Sequence, residues 1–162
     1  MDYQFSSNNY NIFIKDEVVN DDKFYKDIIH ILADNDKSNM PPEFWDIDTI
    51  DDAKIWYSYI TSQSDVLFIQ SKYTQKTIGY IFIHVEEEKS HLGYVLSKDY
   101  WNKGVATEVL ISFIEFCNET KKWDNFFAGV HRDNTASINL LEKLGFTITE
   151  ESPMILFYEY RI

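Results

Sequence analysis

The chain has 162 residues, 44% hydrophobic and 17% aromatic, which is enough for one domain with a sizeable core. Lys plus Arg total 15 against 27 Asp plus Glu, a net charge of −12 that argues against nucleic-acid binding and fits either a cationic small molecule or basic peptide as partner or simply a solvated acidic surface. The single cysteine, Cys117, excludes an internal disulfide, and no apolar run approaches the ~18 residues needed to span a membrane.

The opening MDYQFSSNNY has neither the basic region nor the apolar run of a signal peptide, so a cytoplasmic location is expected. Alternation over 11–18 predicts a strand. Residues 21–34 place Phe24, Ile28, Ile31 and Leu32 on one helical face behind an acidic start. The stretch 35–48, with Pro41–Pro42, reads as a breaker loop. A second helix is expected over 49–64, with Thr49 as cap and Asp52 three residues on.

Three strands then follow at 66–73, 77–87 and 91–97, joined by short polar turns that suggest antiparallel pairing. In 77–87 the alternation assigns Ile78, Tyr80 and Phe82 to one face and Ile81, Ile83 and Val85 to the other. Both faces are apolar and call for covering helices. The acidic run Glu86–Glu88 reads as a solvated turn, available to gather a cationic acceptor.

The helix at 104–119 gathers Val105, Val109, Phe113 and Phe116 on one side and Glu108, Ser112, Glu115 and Glu119 on the other. Cys117 lies in its apolar part and reads as an inert buried thiol. A buried strand at 126–130, a capped helix at 134–146 ended by Gly145, and two closing strands complete the chain. The order β-α-α-β-β-β-α-β-α-β-β predicts an α/β fold over 1–162, with a mixed, mostly antiparallel central sheet and helices on both faces.

The stretch WNKGVATEVL holds the first chemical signal. A strand, a short turn and a helix beginning at Gly104 form a phosphate-binding arrangement. Free N–H groups and the helix dipole attract an anion, and glycine removes the side chain that would block it. Lys103 adds a cation. Taken alone, the same glycine also fits an ordinary turn. There is no second glycine for a dinucleotide fingerprint and no Gly-Lys-Ser/Thr loop.

The helix NTASINLLEKLGF supplies the second signal. Together with GYVLSKDYWNKGVATEVL it closely resembles the GNAT superfamily of acetyl-CoA-dependent N-acetyltransferases, in particular the branch with ribosomal-protein amino-terminal acetyltransferases. The family loop Gln/Arg-x-x-Gly-x-Gly/Ala falls on Trp101, Gly104 and Ala106. The helix motif falls on Asn134, Ser137, Glu142, Lys143, Gly145 and Phe146. Trp101 and Leu141 depart from the wider superfamily pattern, which has Gln or Arg at the first position and often a proton-donating Tyr at the second.

The resemblance implies acetyl-CoA as co-substrate, no metal, and direct attack by a neutral amine on the thioester in a ternary complex. It implies a slot between strands 91–97 and 126–131, with the pantetheine arm along Tyr94, Val95 and Leu96. A main-chain N–H there would stabilise the oxyanion, worth roughly 3–4 kcal/mol. The pyrophosphate would meet Asn102, Lys103, Gly104, Val105, Ala106 and Thr107, with Asn134, Ser137 and Lys143 contributing from the following helix. Ser137 or a water stands in for the missing Tyr as acid.

The base is expected at His91, where the branch often has Glu, because an amine of pKa near ~10 must lose a proton. A surface histidine is the plain alternative there. His131 is a second candidate, His84 reads as a packed core residue, and no two histidines sit at metal-ligand spacing. Expected acceptors are a protein amino terminus, a polyamine or an aminoglycoside. A CoA-binding sensor or scaffold without catalysis also fits Leu141 and His91. The oligomeric state stays open, a homodimer included.

Overall fold

The computed structural model describes residues 4–14 and 21–162, the side chain of Ser38 excepted. Its sheet runs in the order β1 (Gln4–Ser6), β2 (Tyr10–Ile14), β3 (Asp65–Ser71), β4 (Thr77–Glu86), β5 (Lys89–Leu96), β6 (Asn125–His131), β8 (Ile155–Arg161) and β7 (Thr147–Glu151). All neighbours are antiparallel except β5 and β6, which are parallel. The helices α1 (Asp22–Leu32) and α2 (Ile50–Gln63) cover one face. The other face carries α3 (Val105–Thr120) and α4 (Thr135–Leu144). This is the mixed, mostly antiparallel α/β sheet with helices on both faces that the sequence predicts.

Helix starts follow their local chemistry. Asp21 accepts from the Phe24 N–H at 2.8 Å, and Thr49 and Asp52 form a reciprocal capping box. The predicted strand over 11–18 begins at Tyr10 and is described to Ile14; residues 15–18 lie outside the described residues. The strand β1 is an addition to the predicted order. It is held from a distance: Phe5 stacks on Phe116 with centroids 4.6 Å apart. The backbone N–H and side-chain amide of Asn9 both donate to the Glu108 carboxylate, at 2.8 and 3.0 Å.

The two faces of β4 differ from the simple alternation. Tyr80 and Phe82 pack with Trp56 and Tyr57 under α1 and α2, whereas Ile78 joins Ile81 and Ile83 under α3. The cause is a register shift against β3: Ile69 pairs with Gly79 and Gln70 with Thr77, leaving Ile78 as an extra residue that switches face. Val85, also expected inside, is 54% exposed where the strand runs into its hairpin turn. Among the described residues no helix is long and apolar enough to cross a membrane.

Candidate active site

The sheet comes apart at β5 and β6, the one parallel pair among the described residues. Ser90 pairs with Phe126 and His91 with Phe127, and the β5–β6 register goes no further. Beyond these two rungs the strands splay. Two cavities open on the gap, one of about 690 Å³ and one of about 630 Å³. Both are lined by Asn39, Met40, Tyr94, Val95, Asn134 and Ser137, so they meet at one junction. Each is of the size typical for a small-molecule site.

The first cavity runs from that junction to the start of α3. Gly104 precedes the helix in the left-handed region, φ +75°, and no side chain caps the helix there. Asn102, two residues earlier, is also left-handed at φ +57°. A Cβ built on Gly104 would meet nothing within 4 Å. The glycine therefore presents bare backbone to the cavity beside uncapped N–H groups, a concave donor set suited to an anion. Pyrophosphate fits this chemistry.

Trp101 explains how the loop holds its shape without Gln or Arg at that position. Its indole N–H donates to the Leu96 carbonyl at 2.9 Å, tying the turn to the end of β5. Lys143 lines the same cavity, but Lys103 lines neither; its ammonium donates to the Asp99 carbonyl at 2.6 Å. Asn134 caps α4 by accepting from the Ser137 N–H at 3.2 Å, which leaves its amide NH₂ as a donor at the junction.

The second cavity lies over the α1–α2 side of β5. Its wall includes Met40, Glu43, Phe44, Tyr59, Phe82 and three histidines, His84, His91 and His131. The loop 35–48 reaches it because the Trp45 indole N–H donates to the Met40 carbonyl at 2.9 Å and Lys37 bridges Asp46 at 2.8 Å. His84 is not a packed core residue: it is partly exposed, with its ring 6.1 Å from that of His91. It shares a face with Tyr80 and Phe82 as expected, but that face opens into the cavity beyond Phe82.

His84 Nδ1 faces the Gln63 carbonyl, which only accepts, so Nδ1 is the donor in that bond. His131 Nδ1 meets the Asp133 N–H at 3.2 Å and lies 3.7 Å from the Asp133 carboxylate, so it is engaged within its own loop. His91 is exposed and its ring lies 6.0 Å from Phe127.

At the junction the Tyr94 hydroxyl and Ser137 Oγ are 2.8 Å apart, joining β5 to α4. Burial pushes the Tyr94 phenol above its ordinary value, partly offset by the bond to Ser137. Leu141 is buried in the core at 2% exposure. Cys117 is fully buried, and burial pushes its thiol up to about 12, so it stays protonated and inert.

Of the residues expected from sequence, Tyr94, Val95, Leu96, Asn102, Gly104, Val105, Ala106, Thr107, Asn134, Ser137 and Lys143 line the first cavity. His91 lines the second. Sequence reasoning took His84 for a core residue and missed the side chain of Tyr94. Tyr94 carried a signal, since a phenol in an otherwise apolar strand needs a partner when buried.

The splayed seam, with a left-handed glycine and an uncapped helix at its mouth, defines a class of α/β domain whose sheet has a gap suited to an elongated ligand with an anionic end. A family model described as "Acetyltransferase (GNAT) domain" matches residues 19–147, and the chain belongs to that family. Over 70 residues it is 33% identical to the uncharacterized N-acetyltransferase p20 of Bacillus licheniformis, a match spanning 43% of this chain and 39% of p20. The GNAT-family acetyltransferase structure from Bacillus anthracis superposes with a TM-score of 0.78 at 18% identity, covering 98% of each chain. RimL, a ribosomal L7/L12 alpha-N-protein acetyltransferase solved with coenzyme A, gives a TM-score of 0.78 at 13% identity, covering 99% of this chain and 98% of RimL.

Proposed function

We infer that the protein is an N-acetyltransferase that moves an acetyl group from acetyl-CoA to a primary amine by direct attack in a ternary complex. The observation that carries this reading is the meeting of two cavities at Tyr94, Val95, Asn134 and Ser137. One cavity suits the thioester donor and the other an acceptor, so the reacting groups come together at their junction. The amides of Val105, Ala106 and Thr107 bind the pyrophosphate beside Gly104, and Lys143 adds positive charge along the same wall. The Asn134 amide and the edge of β5 from Tyr94 to Leu96 hold the pantetheine arm.

An N–H of that edge stabilises the oxyanion as the amine adds. His91 takes the amine proton directly or through water, with the His84 ring 6.1 Å away on the same cavity wall. Ser137 returns a proton to the departing thiolate. The acceptor is a cationic amine: Glu43 and the net charge of −12 favour it, and the aromatic wall of Phe44, Tyr59 and Phe82 accommodates its apolar neighbours. RimL's alpha-N-protein acceptor supports a protein amino terminus as one member of that class.

Incubation with acetyl-CoA and a panel of amino-terminal peptides, polyamines and aminoglycosides, reading free thiol, tests the activity. Amine-dependent thiol release is the expected result. Tight CoA binding with no release on any acceptor would favour a non-catalytic CoA sensor instead. His91→Ala should lower turnover most at the acid end of pH 6–9; a full rate across that range would remove His91 from the base role.

A further inference from the structure

Tyr94 brings a half-buried phenol to the junction of the two cavities. Tyr94 and Ser137 are 43 residues apart in sequence, yet their hydroxyls meet at 2.8 Å, and both residues line both cavities. Also at the acceptor cavity are the cap residue Asn134, whose amide is no acid, and Leu141 of α4, which has no proton to give. A lone serine is a poor acid for a thiolate, because full transfer leaves an alkoxide far more basic than sulfur. A phenol, ordinarily near ~10 and raised further here by burial, still lies far closer to a thiol at about 8.5 than an alcohol does.

Resting on the acetyl-transfer reading, we propose that Tyr94 is the positioning residue and proton reservoir behind Ser137, the phenol donating to Ser137 Oγ while the Ser137 hydroxyl donates to the departing sulfur. The balance is complete without another reagent. The C–N bond forms and the C–S bond breaks. Sulfur takes the Ser137 proton, Ser137 takes the Tyr94 proton, and the phenolate regains one from His91, which has taken the proton the amine surrenders. That last transfer has a route, since Tyr94 also lines the acceptor cavity. Burial keeps the phenol protonated through neutral pH, so the reservoir is loaded before each turnover.

Tyr94→Phe removes the hydroxyl and keeps the ring. The expected result is a fall in kcat of about 10- to 100-fold, with the KM for acetyl-CoA and the affinity for CoA within twofold of wild type. Ser137→Ala should lose a similar factor, the double variant no more than the larger single, and Ser137→Thr should recover the rate. If Tyr94→Phe is poorly folded by thermal melting, 3,5-difluorotyrosine placed at position 94 keeps shape and hydroxyl but makes the phenol more acidic. The alkaline limb of kcat should then move to lower pH. The histidines, Glu43, Asp34, Asp36, Lys143 and the phenols of Tyr59 and Tyr100 in the two cavities are unchanged in it.

A wild-type rate in Tyr94→Phe, multiplying losses in the double variant, or an unmoved alkaline limb each overturns the relay while leaving acetyl transfer intact. A wild-type protein that binds CoA but acetylates no amine overturns both.

Discussion

Gly104 allows the cost to the fold and the cost to the ligand to be separated. A Cβ there meets no atom within 4 Å, so Gly104→Ala and Gly104→Glu disturb the protein only through the φ of +75°. Holding an L-residue in that region costs about 1–2 kcal/mol, which for a chain of this size lowers Tm by roughly 2–8 °C. The two variants should therefore melt alike. Their ligand affinities should not. A carboxylate ~5 Å from one phosphate charge, at an effective dielectric of ~20, is repelled by about 3 kcal/mol, or about 100-fold in Kd. Calorimetry with CoA should show a loss of that order for Glu and a much smaller one for Ala, while pantetheine, which lacks the pyrophosphate, binds all three proteins equally. CoA affinity in Gly104→Glu within threefold of wild type, alongside the expected drop in Tm, would refute the anion-binding assignment.

Gly79 faces the opposite constraint: an added Cβ would sit 2.4 Å from the Val95 carbonyl oxygen and 2.7 Å from Leu96 Cδ2, so Gly79→Ala should cost about 2–3 kcal/mol in urea unfolding. A loss under ~0.5 kcal/mol would mean that β4 and β5 part freely there. Burial alone would raise the Glu108 carboxyl, but hydrogen bonds from Ser7 and Asn9 and the Lys72 charge outweigh it and leave it below its ordinary value. Its stabilisation is thus present above the unfolded value of about 4.3 and lost as pH falls through the lower folded value. Thermal melts from pH 6 to 3 should fall less steeply for Glu108→Gln than for wild type, and equal slopes would exclude this role. The hairpin turn holds Glu87 at φ +47° and Glu88 at φ +66°, so replacing the pair with Asn-Gly should raise stability by about 1 kcal/mol, read as an increase in Tm.

The order of elements was legible because periodicity, caps and breakers are local. Thr49 with Asp52, Asn134 with Ser137, and the alternation through β4 act over a few residues. What stayed hidden depends on distant partners. The short β1 has no pattern of its own and exists because Phe5 finds Phe116 and Asn9 finds Glu108. Ile78 changed face because of a bulge defined by β3, which lies outside its own strand. The cavity wall at Gly104 and Asn134 was readable, since a loop and a cap are local devices. The exposure of His84 to the second cavity was not, because its place depends on the distant Gln63 carbonyl.

The two rungs joining β5 to β6 also govern how the molecule coheres. Backbone hydrogen bonding treats β1–β5 and β6–β8 as two plates, while side chains cross between them: Leu92 and Leu96 share one apolar cluster with Phe126, Ala128 and Val130. The plates are thus glued more than stitched. Apolar adhesion weakens on cooling whereas a hydrogen-bonded ladder does not depend on it, so low temperature loosens this seam before either plate. Amide exchange along β6 and β8 should then quicken relative to β3 and β4 in the cold, and a ligand lying in the gap should abolish the difference by supplying the missing stitches.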